Sequence, residues 1–169
     1  RLKGVKIDDE TIVDIDISFA KKTDKLLYST DEAIRDRLET IKKNDPDKYK
    51  LVVGNILLAK NVLKEAGAYK PNRGEVPQGG LGGVGVENWI LQNGGSFVDA
   101  ATSFLNAAEG KTFNEFCSSY RIWDFGDNHL ADKKGIYPHD NFVSGNMNEE
   151  GYTKMRQALK EYLEKLERA

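Results

Sequence analysis

Apolar and polar positions divide the chain into one alternating stretch near its start and a series of helical periods after it. In residues 11–19, TIVDIDISF, Val13, Ile15, Ile17 and Phe19 point one way and Asp14, Asp16 and Ser18 the other, the two-residue period of a strand. Ser29 followed by Glu32 makes a capping box that opens a helix through Lys43. Asp45 caps a second helix with Pro46 at its first position, and Leu51, Val52, Ile56, Leu57, Val62, Leu63 and Ala66 give it an apolar face before Gly67 ends it. A third helix runs from Gly82 to the pair Gly94 and Gly95, with Val86, Trp89 and Ile90 as core. Ser96 with Asp99 opens a fourth, whose face is Phe97, Ala100, Ala101, Phe104 and Leu105 and whose end is Gly110. Thr112 with Glu115 starts a short helix through Cys117. Asn148 caps the last one, with an apolar stripe of Tyr152, Met155, Leu159, Leu163 and Leu166 and a basic edge of Lys154, Arg156, Lys160 and Lys165. Between them, YRIWDFGDN and the turn-rich residues after it predict a short β segment near 120–140. The pattern predicts a mainly α (α+β) chain: an N-terminal strand, then a small helical bundle.

Composition narrows the function. Charged residues make up 31% of the 169 residues, yet the formal net charge is −2, so no global basic field advertises nucleic-acid binding and any such contact is local. A single cysteine, Cys117, excludes a disulfide framework within the chain and reads as a half-buried apolar filler. No apolar run approaches the length of a membrane span and no signal sequence is present, which predicts a cytoplasmic protein without a membrane partner.

Three features carry candidate chemistry. Asp14 and Asp16 share a strand face, and neighbouring carboxylates of this kind repel unless water, a cation or a basic group lies between them; hard divalent metals prefer such oxygens. Taken alone, the stretch reads first as a strand with a solvated acidic face. More than half of the 16 glycines fall between Gly67 and Ser96, but without a strand-first GxGxxG or a GK[ST] ending, which argues against a dinucleotide or P-loop site. Lys60 lies off the apolar stripe of the second helix, as a solvated lysine would. His129 and His139 show no metal-ligand spacing, and no nucleophile elbow is present.

Taken in order, Lys60, Gly67-Ala68-Tyr69, Gly80-Leu81-Gly82-Gly83-Val84 with Glu87, and Gly95-Ser96-Phe97 resemble the central domain of the DNA polymerase β-like nucleotidyltransferases. Within that superfamily the likeness is to archaeal-type CCA-adding enzymes, poly(A) polymerases and 2′-5′-oligoadenylate synthetases. Lys60 and Tyr69 are nine positions apart, as in the family, where this pair grips the triphosphate of the incoming nucleotide. The resemblance implies nucleotide binding by Lys60, Tyr69, Gly82 and Glu87, although Gly82 stands where the family has serine. Val13-Asp14-Ile15 resembles the strand of the third catalytic carboxylate, making Asp14 the first candidate for catalysis and metal binding and Asp16 the second. Pro138-His139-Asp140 and Gly145-Asn146-Met147 look like the turn before the family's closing helix. The implied organisation is a remnant of the catalytic domain over residues 1–28 and a helical substrate-binding domain over 29–169. The implied cofactor is Mg2+ with a nucleoside triphosphate, and the implied acceptor an RNA 3′ end or an oligonucleotide. The Gly-Ser helix start and the strand bearing the first two carboxylates are not in this sequence, so the fragment alone is expected to be inactive and its sheet edge open to self-association. Two alternatives are a second-messenger synthase of the same superfamily and a non-catalytic helical binding module.

Overall fold

The computed structural model describes residues 2–6, 12–15, 30–69, 79–123, 125 and 147–168. Two strands, β1 (Leu2–Lys6) and β2 (Ile12–Ile15), pair antiparallel, with Leu2 opposite Ile15, Val5 opposite Val13 and Lys6 opposite Ile12, and an irregularity between Leu2 and Val5. β2 falls in the alternating stretch; its partner β1 carries no comparable alternation. Residue 11 and residues 16–19 of the expected strand lie outside the described residues.

The rest of the described chain is mainly helical. Six helices are described: α1 (Thr30–Asn44), α2 (Pro46–Glu65), α3 (Gly83–Gln92), α4 (Phe97–Ala108), α5 (Phe113–Ser119) and α6 (Glu149–Glu167). Their ends follow local chemistry. Asp45 accepts from the Lys48 amide with Pro46 at the first position of α2, Ser96 accepts from the Asp99 amide, and Asn148 accepts from the Gly151 amide. Thr112 and Glu115 form a reciprocal capping box. Gly67, Gly94, Gly95 and Gly110 take the positive φ that ends or reverses a helix without a Cβ clash.

One core joins α2, α3, α4, α5 and α6. Trp89, Phe97, Phe104, Phe116, Leu63, Ile90, Met155 and Leu159 are almost wholly excluded from solvent. Phe104 is its hub, with ring centroids 4.7 Å from Phe116, 5.6 Å from Tyr120 and 6.0 Å from Tyr152. A smaller cluster of Ala33, Ile34 and Phe125 fixes α1, with Arg37 stacked over the Phe125 ring at 3.8 Å.

Some expected burial is corrected. On α2 the buried face is Val52, Ile56, Ala59 and Leu63, a four-three-four spacing, while Leu51 and Leu57 are exposed at 69% and 56%. Apolar residues lie on most sides of α2, so composition did not fix which side the other helices cover. On α6, Leu166 is exposed and Tyr162 packs instead, its ring 4.5 Å from Phe97. Cys117 is exposed, because the adjacent Phe116 takes the inward position on α5.

Beyond α5, the extended Tyr120 starts a segment that runs beside α3, held by side chains of that helix. Gln92 donates to the Arg121 carbonyl at 3.0 Å and accepts from the Trp123 amide at 3.0 Å. Asn88 accepts from the Phe125 amide at 3.2 Å. The remainder of the β segment expected near 120–140 lies outside the described residues.

Candidate functional site around the start of the third helix

The site begins where α2 ends. Gly67 turns the chain at φ +67°, and the Ala68 amide returns to the Leu63 carbonyl at 2.8 Å. That reversal carries the backbone to Tyr69, which forms a parallel bridge with Leu81, while the Leu81 amide donates to the Ala68 carbonyl at 3.0 Å. The chain therefore comes back beside the end of α2 just before α3 starts.

Glycines make this crossing possible. A Cβ at Gly80 would collide with the Ala68 carbonyl, one at Gly79 with the Asn148 side chain, and one at Gly151 with the Gly79 backbone. The Asn148 amide donates to the Gly79 carbonyl at 2.9 Å. Gly79 and Gly80 thus pass between the end of α2 and the start of α6, a role in packing and not in cradling a ligand.

Gly82 is the cap residue of α3 and supplies no side-chain acceptor, unlike the caps of α2, α4, α5 and α6. Its carbonyl takes the Val86 amide at 3.0 Å, leaving the amides of Gly83, Val84 and Gly85 as first-turn donors without an intrahelical partner. The helix dipole adds partial positive charge there, and no acidic residue occupies the first turn.

Two side chains from α2 and its exit reach the same face. Tyr69 is partly exposed and packs on the core edge, and its Oη lies 3.1 Å from where a Cβ of Gly83 would be. Lys60 Nζ pairs with Glu87 Oε1, the two side chains being 23% and 25% exposed. Gly83 and Glu87 are four positions apart and so stack on one side of α3. Tyr69, Gly83, Glu87 and Lys60 consequently form a row, with the Tyr69 hydroxyl near the first residue of the helix and the Lys60 ammonium one turn further in.

All four candidate nucleotide-binding residues, Lys60, Tyr69, Gly82 and Glu87, are therefore neighbours around one helix start. Lys60 is not a freely solvated lysine but half of an interhelix ion pair, and Glu87 is its counter-ion. Gly83, part of the glycine run, and Lys154, on the basic edge of the last helix, were given no binding role by the sequence. Gly83 is where the Tyr69 hydroxyl sits, and a glycine inside the run was the available signal. Lys154, paired with Glu150 at 2.6 Å, reaches over Gly67 at the C-terminal end of α2, where a cation complements the dipole.

Asp14 lies on β2, opposite the irregular part of the β1 pairing. Asp16, His129, His139 and the segment with Pro138, Asp140, Gly145 and Asn146 lie outside the described residues. Met147, just before the cap of α6, is buried. Among the described residues no three or more His, Cys, Asp or Glu side chains come together as a metal site, and no helix is long and apolar enough to cross a membrane. Compared with family models, curated proteins and solved structures, the chain matches none.

Proposed function

We propose that this chain is the nucleotide-handling, helical part of a metal-dependent nucleotidyltransferase, of the substrate-binding type found in poly(A) polymerases and oligoadenylate synthetases. One observation carries the reading: residues picked by motif from two separate stretches, Lys60 and Tyr69 from α2 and its exit and Gly82 and Glu87 from α3 and its cap, meet around a helix start that has no side-chain cap. The amides of the first turn, the helix dipole, a tyrosine hydroxyl and an ammonium together suit a phosphate chain. Lys60 and Tyr69 are the groups that hold the triphosphate, and the first turn of α3 takes a phosphate oxygen.

Mg2+ enters this reading with the triphosphate, where its chemistry is to neutralise phosphate charge and activate the attacking hydroxyl. Asp14, with Asp16 two positions on in the sequence, would hold that ion, in keeping with the one or two carboxylates and phosphate oxygens that Mg2+ takes. The acceptor is an RNA 3′ end or an oligonucleotide, and the setting cytoplasmic.

The test is a titration of ATP and of inorganic triphosphate into the isotope-labelled protein, followed through its backbone amide resonances. Shifts should centre on Gly83, Val84 and Tyr69, and Lys60→Met should weaken binding by about tenfold, the worth of one charge-assisted hydrogen bond. Millimolar ligand that moves none of these resonances would sink the proposal. In the intact protein, Asp14→Ala should abolish incorporation of radiolabelled nucleotide while leaving ATP-induced shifts in place.

A further inference from the structure

The Lys60–Glu87 pair poses a question that a phosphate site alone does not answer: why the lysine that would hold an anion already has one. The pair joins the C-terminal third of α2 to the second turn of α3, and both side chains are about three-quarters shielded from water. At such depth the attraction between them is far less screened than at the surface. The carboxylate also lies on the α3 face that leads to Gly83 and the Tyr69 hydroxyl.

We propose that Glu87 sets the strength of phosphate capture at this site by competing with the ligand for the Lys60 ammonium. The inference rests on the phosphate-binding reading of the site. An ammonium has three N–H donors, so Lys60 can turn one or two of them to an incoming phosphate while keeping Glu87. The approaching anion still meets a pair whose net charge is zero. Capture of the ligand therefore proceeds by sharing or exchange of the ammonium, and release is assisted by the carboxylate that takes it back. A site of this kind binds and lets go quickly, as suits a polyphosphate whose cleaved part has to leave after every transfer. The same carboxylate repels a ligand in proportion to its charge, so its removal should favour triphosphate over monophosphate.

The experiment compares wild type, Glu87→Gln, Lys60→Met and the double variant for binding of ATP and AMP without metal, at low and high salt, with thermal unfolding measured on each. Glutamine keeps the shape of glutamate and an acceptor for Lys60 but removes the charge. Glu87→Gln should bind ATP about tenfold more tightly than wild type, a gain of one uncompensated charge, and the gain should be smaller for AMP and fade with salt. The double variant should lose the gain. ATP affinity that is unchanged or lower in Glu87→Gln, with wild-type ATP binding intact, overturns the competition and leaves Glu87 as a prop for Lys60. Absence of ATP binding in both wild type and Glu87→Gln overturns the phosphate reading itself, so the two failures are distinguishable.

Discussion

The indole N–H of Trp89, on α3, donates to the hydroxyl of Tyr120, at the end of α5, at 2.9 Å. Trp89 is wholly buried, so this bond satisfies a donor that has no route to water. Tyr120→Phe leaves the indole N–H without its acceptor and should cost about 1–3 kcal/mol in chemical denaturation. Burial pushes the Tyr120 phenol above the usual tyrosine range, against hydrogen bonds to Ser103, Trp89 and Asn93 that lower it. A folded-state value above the unfolded one means that the contribution of Tyr120 is complete below about pH 10 and is lost as pH rises through the folded value. Denaturation midpoints should thus fall more steeply above that pH in wild type than in Tyr120→Phe.

Two glycines should respond in opposite directions to alanine. A Cβ at Gly54, on α2, meets open space, so Gly54→Ala should stabilise by about 0.5–1 kcal/mol through helix propensity. At Gly80 the same methyl runs into the Ala68 carbonyl, and the cost should be at least about 1–3 kcal/mol. Thermal unfolding of the two variants checks both signs.

The exposed and buried leucines of α2 give a third contrast. Leu63→Ala should lose about 2–5 kcal/mol, since Leu63 is wholly buried in the main core. Leu58→Gln, at a position 40% exposed, should stay within about 0.5 kcal/mol of wild type. A large loss in the glutamine variant would show that this side of α2 is covered in solution.

Asn88 and Gln92 hold Arg121, Trp123 and Phe125 with side-chain amides in place of a neighbouring strand. Asn88 also donates to the Val84 carbonyl at 2.9 Å, so its amide is satisfied on both ends although the residue is buried. Asn88→Ala with Gln92→Ala should raise the hydrogen-exchange rates of the Trp123 and Phe125 amides and leave those of α4 unchanged. Equal exchange in both proteins would mean that packing of Phe125 against Ala33 and Ile34 suffices.

Helix ends were legible in the sequence because their causes are local: Asp45 with Pro46, Ser96 with Asp99, Thr112 with Glu115 and Asn148 each act within four residues. The apolar face of α2 was only half legible. Ala59 is fully buried although alanine carries little hydrophobic signal, and Leu51 is exposed although leucine carries much. What decides is which side α1, α3, α4 and α6 pack against. At the candidate site the motif named the residues, but the Lys60–Glu87 pair and the Tyr69–Gly83 approach connect positions 27 and 14 apart and depend on a crossing that no local pattern encodes. The close passage of Gly79 and Gly80 between α2 and α6 is of the same kind.

The place of α6 has a consequence for how the chain is made. Its Tyr152, Met155 and Leu159 are buried in the same core as Leu63, Phe97, Phe104 and Phe116, and it packs on both α2 and α4. A ribosome therefore delivers the aromatic half of the core long before the residues that close it. Until that nineteen-residue helix clears the exit tunnel, the nascent chain presents an open apolar trough. Closure of this core waits for α6, and a stop codon ahead of Tyr152 should yield a product that chaperones hold and proteases clear.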